Sequence, residues 1–153
     1  MTPTATPIIA ELRLLTHRPE PMIAWWSALL GATAQTLNAR TTCVASATVR
    51  VMVERSETAL DYHPEASGVT VIGIAPGSAA ALRDTVGRLV ELDCRPYRAT
   101  RDGDQILLWY RDPNGADVTV QTPDRDGTRD GAGGLFPDEV DPAAVLRRLA
   151  ELG

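Results

Sequence analysis

The sequence predicts an α+β fold of two tandem βαβββ modules, forming a curved mixed sheet around a cleft and followed by a C-terminal helix. Three observations carry this. The pattern of strand, helix and three short strands occurs twice, over residues 7–54 and 68–122. The turns of the second copy hold Asp and Gly where tight turns need them, and a polar, proline-containing stretch separates the copies. Internal duplication at this scale sets the architecture, because a half of about fifty residues buries too little apolar surface alone.

In the first copy, residues 8–15 alternate as a strand, with Ile9, Glu11 and Arg13 on one face and Ala10, Leu12 and Leu14 on the other. Pro19 and Pro21 suit the first turn of a helix, where a missing N–H costs nothing. Met22, Trp26, Leu29 and Leu30 then form its apolar stripe, and Gly31 ends it. Trp25, adjacent to Trp26, is expected at a module edge or subunit interface, since neighbours on a helix do not share a face. Short strands follow over residues 33–38, 41–45 and 48–54, with breaks at Ala39-Arg40 and Ser46-Ala47. Residues 55–67 read as a connector.

The second copy opens with a strand over residues 68–74 and a turn at Pro76-Gly77-Ser78. Ser78 is the natural N-cap of a helix over residues 79–92, striped by Leu82, Val86, Leu89 and Val90. Strands follow over residues 95–100, 105–111 and 116–121, joined at Arg101-Asp102-Gly103-Asp104 and Asp112-Pro113-Asn114-Gly115. Residues 123–140 read as a mobile loop. Its Asp-rich string at residues 124–131 lacks the Gly and Glu positions of an EF-hand calcium loop. Asp141 then caps a terminal helix over residues 141–153, with Pro142 at its first position and Val145, Leu149 and Leu152 as its apolar face.

Composition narrows the function. A chain of 153 residues that is 44% apolar suits a single domain with a real core. The net charge of −5 and scattered arginines argue against nucleic-acid binding. Mild acidity suits solubility or a cationic ligand. No apolar run spans a membrane, and the N-terminus lacks the pattern of a secretory signal, so a cytoplasmic protein is expected. Cys43 and Cys94 show no metal or disulfide spacing and are read as reduced and buried rather than reactive. No catalytic triad, Walker loop or dinucleotide-binding glycine motif stands out.

The stretch Trp109-Tyr110-Arg111-Asp112-Pro113-Asn114-Gly115-Ala116-Asp117-Val118-Thr119-Val120 resembles the closing hairpin of the vicinal oxygen chelate superfamily. That group includes glyoxalase I, bleomycin-resistance proteins, extradiol dioxygenases and fosfomycin-resistance enzymes. The helix Ile23-Ala24-Trp25-Trp26-Ser27-Ala28-Leu29-Leu30-Gly31 is similar to the superfamily's helix with an aromatic pair and a Leu-Gly exit. With the duplication, the resemblance covers roughly residues 7–122. It implies paired modules forming a cup with a ligand inside, a homodimer being compatible with it.

The superfamily's metal sites take His, Gln or Glu from a module's first strand and Glu from its last. The resemblance maps these positions onto Glu11 and Glu54 in the first copy. In the second it maps them onto Val69–Ile74 and Thr119. A divalent metal needs three or more converging donors, and the two histidines, His17 and His63, fall in expected loops, so no metal or other cofactor is expected. Strand phase then turns Arg13, Arg50, Met52, Leu107, Trp109, Arg111, Asp117, Thr119 and Gln121 toward the ligand. Leu108, Tyr110, Val118 and Val120 fall on the core side. Trp109 is the expected stacking platform, with an indole capping a core edge as its alternative role. Glu11 is a metal ligand, a general base, an anchor for a cationic group, or simply a strand residue paired with Arg13 or Arg50.

Three functions follow. The first is a glyoxalase/bleomycin-resistance-like protein that binds a small organic molecule without a metal, for sequestration, resistance or carriage. The second is a glyoxalase-like lyase or isomerase, or a biosynthetic enzyme, using Glu11 or Glu54 as acid–base or metal ligand. The third is a regulatory module whose C-terminal helix mediates assembly. A small organic ligand is the expected partner, with neither nucleic acid nor membrane.

Overall fold

In the computed structural model, residues 8–122 and 138–151 are described. The chain divides into two compact units, Met1–Leu60 and Asp61–Gly153, with the boundary inside the connector. Both halves of the duplication appear, each with a mixed sheet of its own.

In the first unit, β1 (Glu11–Thr16) leads into α1 (Pro19–Leu30). The hydroxyl of Thr16, fully buried, accepts the N–H of Arg18 at 2.9 Å and shapes the entry to the helix. Gly31 adopts the left-handed conformation (φ 60°), and the N–H groups of Gly31 and Ala32 bond back to Ala28 and Ser27, closing α1. Then come β2 (Ala34–Thr36), β3 (Thr41–Ala45) and β4 (Arg50–Arg55). The sheet order is β1-β4-β3-β2, with β1 parallel to β4 and the other pairs antiparallel.

Helix α1 lies against β3 and β4, bringing Met22, Trp26 and Leu29 to the sheet face that carries Val44, Val51 and Val53. Trp25 departs from expectation: it is buried, not at an edge, and meets Trp26 edge-to-face with ring centroids 5.3 Å apart. Two adjacent indoles are both hidden because the T-shaped pair turns one ring against the other.

The second unit repeats the order. β5 (Val71–Ile74) precedes α2 (Ala79–Glu91), whose N-cap Ser78 accepts the N–H of Ala81 at 3.1 Å. β6 (Arg98–Asp102), β7 (Gln105–Arg111) and β8 (Asp117–Gln121) complete the module. Again the first strand pairs in parallel with the last, in the order β5-β8-β7-β6. A further strand, β9 (Asp138–Val140), pairs antiparallel with the outer edge of β6. This corrects the loop expected through residue 140, because three residues with little apolar content carry no strand signal until a partner edge is in place. The rest of that expected loop, residues 123–137, lies outside the described residues. α3 (Pro142–Glu151) follows, with Asp141 accepting the N–H of Ala143 and Val145 buried as the helix lies against β6. Leu152 of its expected face lies outside the described residues.

Several strands are shorter than expected. Residues 8–10, 68–70 and 95–97 lie ahead of the strands, with Ala10 and Tyr97 each making one backbone bond to the neighbouring strand. Leu30 and Val90 sit at the half-buried margins of their helix stripes. Among the described residues no helix is long and apolar enough to cross a membrane.

Candidate functional site

Register decides which side chains share a face. Across β1 and β4, Glu11 pairs with Arg50, Arg13 with Met52 and Leu15 with Glu54; across β4 and β3, Met52 pairs with Cys43 and Glu54 with Thr41. One face of this sheet therefore collects Glu11, Arg13, Arg50, Met52 and Glu54, as the alternation implied. Arg13 lies between the acids. Its Nε donates to Glu11 Oε1 at 2.7 Å and its Nη1 to Glu54 Oε1 at 3.0 Å, while Arg50 Nη2 reaches Glu11 Oε2 at 3.3 Å. Glu11, acting first, and then Glu54 strengthen the proton affinity of the Arg13 guanidinium, which stays cationic. Met52 and Cys43 are buried on the same face.

Beyond Glu54 a cavity of about 620 Å³ opens between the β2–β3 turn and the segment after β4. Asn38 braces that turn, its Oδ1 accepting the N–H groups of Arg40 and Thr41 at 2.9 Å each.

In the second unit, Thr119 pairs with both Gly73 and Trp109, Asp117 with Arg111, and Gln121 with Leu107. All six residues expected on this face, Leu107, Trp109, Arg111, Asp117, Thr119 and Gln121, share it. Leu108, Tyr110, Val118 and Val120 fill the opposite, core face and are fully buried. At Gly73 a Cβ would come within 2.5 Å of Gln121 Nε2, the far end of a flexible side chain.

The same face holds residues that strand phase alone did not single out. Arg98 pairs with Trp109 in the register and stacks its guanidinium over the indole at 5.3 Å. Trp109 Nε1 donates to Thr100 Oγ1 at 2.9 Å, fixing the plane of the ring. Arg98 Nε donates to Glu139 of β9 at 2.6 Å. Arg111 stacks over the Tyr97 ring at 4.6 Å, and the Tyr97 hydroxyl donates to Asp117 Oδ1 at 2.8 Å. Burial, then the bond to Asp117, pushes the Tyr97 phenol above its ordinary range. A legible signal existed for Arg98. A two-residue hairpin loop at Gly103-Asp104 pairs Asp102 with Gln105 and, counting outward, Arg98 with Trp109. Tyr97 and Glu139 had no such signal.

The donor set does not fit a divalent metal. Glu11 and Glu54 are the only metal-type residues at the mapped positions, and both are held by guanidinium groups. In the second unit the mapped positions carry valine, isoleucine, glycine and threonine. Among the described residues, no three His, Cys, Asp or Glu side chains converge. Both histidines are exposed and outside the strands.

No protein-family model matches the chain, and no curated protein sequence does. Solved structures do. A glyoxylase/bleomycin resistance protein/dioxygenase domain from Frankia sp. EAN1pec superposes with a TM-score of 0.64 at 9% identity, covering 78% of this chain and 100% of that one. Lactoylglutathione lyase from Agrobacterium tumefaciens gives 0.58 at 18% identity, covering 84% and 100%. A glyoxalase/bleomycin resistance protein/dioxygenase from Alicyclobacillus acidocaldarius gives 0.60 at 10% identity, covering 77% and 92%. At such identities the likeness establishes the fold.

Proposed function

We propose that this chain, which carries the vicinal oxygen chelate fold, binds a small organic molecule without a metal ion, in a sequestering, resistance or carrier role. One observation carries the reading. The polar face of the second sheet sets an oriented indole, a phenol ring, two stacked guanidinium groups and an aspartate side by side. Aromatic surface beside a few fixed polar groups is the composition of a small-molecule site. The enzyme reading, with Glu11 or Glu54 as acid–base, has less support. Arg13 holds both carboxylates, and a general base must be able to reach a substrate proton.

The test is a fluorescence titration of the whole chain against a library of planar aromatic acids, amides and amines. Trp25 and Trp26 are buried, so Trp109 is the indole that a ligand on this face would perturb. Saturable quenching in the wild type that disappears in Trp109→Phe supports the proposal. Quenching retained in Trp109→Phe, or no binding by any member, overturns it.

A further inference from the structure

The two stacked arginines differ in what they leave for a ligand, and from that difference we infer that the second module selects planar organic anions. In this assignment the ring system lies on the Arg98–Trp109 pair and the carboxylate or phenolate meets Arg111. The inference rests on the binding reading above and adds the charge and shape of the ligand.

A guanidinium offers two things, a planar cationic face and an edge of N–H donors. Arg98 has committed one face to Trp109 and part of its edge to Glu139, through Nε at 2.6 Å and also through Nη2. What remains is its outer side, above an indole that Thr100 keeps in place. Such a surface accepts a flat π system, because the ring, the cation and a second ring can stack in series.

Arg111 is held the other way. Its guanidinium lies over the Tyr97 ring and also meets the Tyr97 hydroxyl, and its contact to Asp117 is long, with Nε at 3.4 Å from Oδ1. That exceeds the usual length of a charge-assisted hydrogen bond. The Tyr97 hydroxyl bonds the same Asp117 oxygen more closely, at 2.8 Å. The Arg111 side chain is 64% exposed and retains N–H donors for a planar, two-oxygen acceptor. Stacking on Tyr97 has already restrained the side chain, so less freedom is lost when an anion docks.

Spacing agrees. Arg98 pairs with Trp109, and Arg111 lies two residues along the same strand on the same face. Diagonal neighbours of this kind lie within reach of one another's long side chains, so a ring on the Arg98–Trp109 pair and a carboxylate at Arg111 can belong to one small molecule. The overall acidity of the chain works against this local preference at long range, and the Debye length of about 8–10 Å at ordinary salt confines that opposition.

The test is calorimetric titration of the full chain with three probes of one shape: naphthoate, naphthamide and naphthylmethylammonium. Naphthoate is expected to bind roughly tenfold more tightly than naphthamide, and naphthylmethylammonium more weakly than either. Arg111→Gln should erase the preference for naphthoate, bringing its affinity down to that of naphthamide. Arg98→Gln should weaken naphthoate and naphthamide by the same factor. Equal affinities for acid and amide, or a preference for acid that survives Arg111→Gln, overturns the anion assignment and leaves the binding reading standing. If none of the three probes binds but other members of the planar library do, the assignment alone fails. If nothing in either set binds, both fail.

Discussion

Removing a single oxygen from the core should stabilise the protein. Tyr110 is fully buried between β6 and β8, and its hydroxyl has no hydrogen-bond partner among the described residues. A buried hydroxyl without a partner forfeits its bond to water, at about 1–3 kcal/mol. Tyr110→Phe recovers that cost and keeps the ring. The void left behind is roughly 10 Å³, worth about 0.2 kcal/mol at ~24 cal/mol per Å³. The net expectation is a gain of about 1 kcal/mol, or roughly 2–4 °C in the thermal midpoint for a chain of this size. pH sharpens the test. Burial pushes the Tyr110 phenol far above its ordinary value of 10.0. Below pH 10 the group is protonated in both folded and unfolded chains and adds no slope. Above it the unfolded chain gives up this proton first, so the folded state holds more protons and wild-type stability falls by about 1.4 kcal/mol per pH unit. The variant lacks that term, so its advantage should widen from pH 10 to 11. Urea denaturation followed by circular dichroism at pH 7, 10 and 11 measures both effects. A variant less stable than wild type at pH 7 by more than about 1 kcal/mol would show that the hydroxyl is bonded after all.

Other expectations follow from named contacts. Asp112→Ala removes the acceptor for the N–H groups of Asn114 and Ala116 in the β7–β8 turn, and should cost about 2–3 kcal/mol by urea titration. Ser78→Ala removes the α2 cap and should cost about 1 kcal/mol by the same measurement. Arg13→Ala should change the urea midpoint little, because the pairs it makes are exposed to water. Whatever difference remains should vanish in about 1 M salt. Gly73→Ala should leave the fold intact, since the Cβ meets the flexible end of Gln121. A large loss of stability in the thermal midpoint would mean that Gln121 cannot move aside.

What was legible in the sequence is what short-range chemistry determines. Ser78 capped its helix, Gly31 ended its own, and β3 and β7 occupied the expected residues, because each depends on near neighbours in the chain. Alternation then placed the shared polar faces, since a one-residue error would have buried Arg111 and exposed Tyr110. The missing parts depend on distant partners. Arg98 meets Glu139 across a separation of 41 residues, and β9 exists because β6 offers it an edge. Tyr97 lies just outside the ladder, so strand phase misdirects its ring, which turns instead toward Asp117. Sequence allows Glu11 to pair with Arg13 or Arg50, but a single charge-bearing strand does not show that Arg13 holds Glu54 as well.

Ligand binding without a metal is tested by one titration. Protein stripped with a chelator and exchanged into metal-free buffer is titrated with naphthoate while Trp109 emission is followed. The titration is repeated after adding zinc, nickel or manganese. Saturable quenching with the same Kd in every case is the predicted result. Binding that appears only when a metal is restored would contradict the account, and would return Glu11 and Glu54 to the role of ligands.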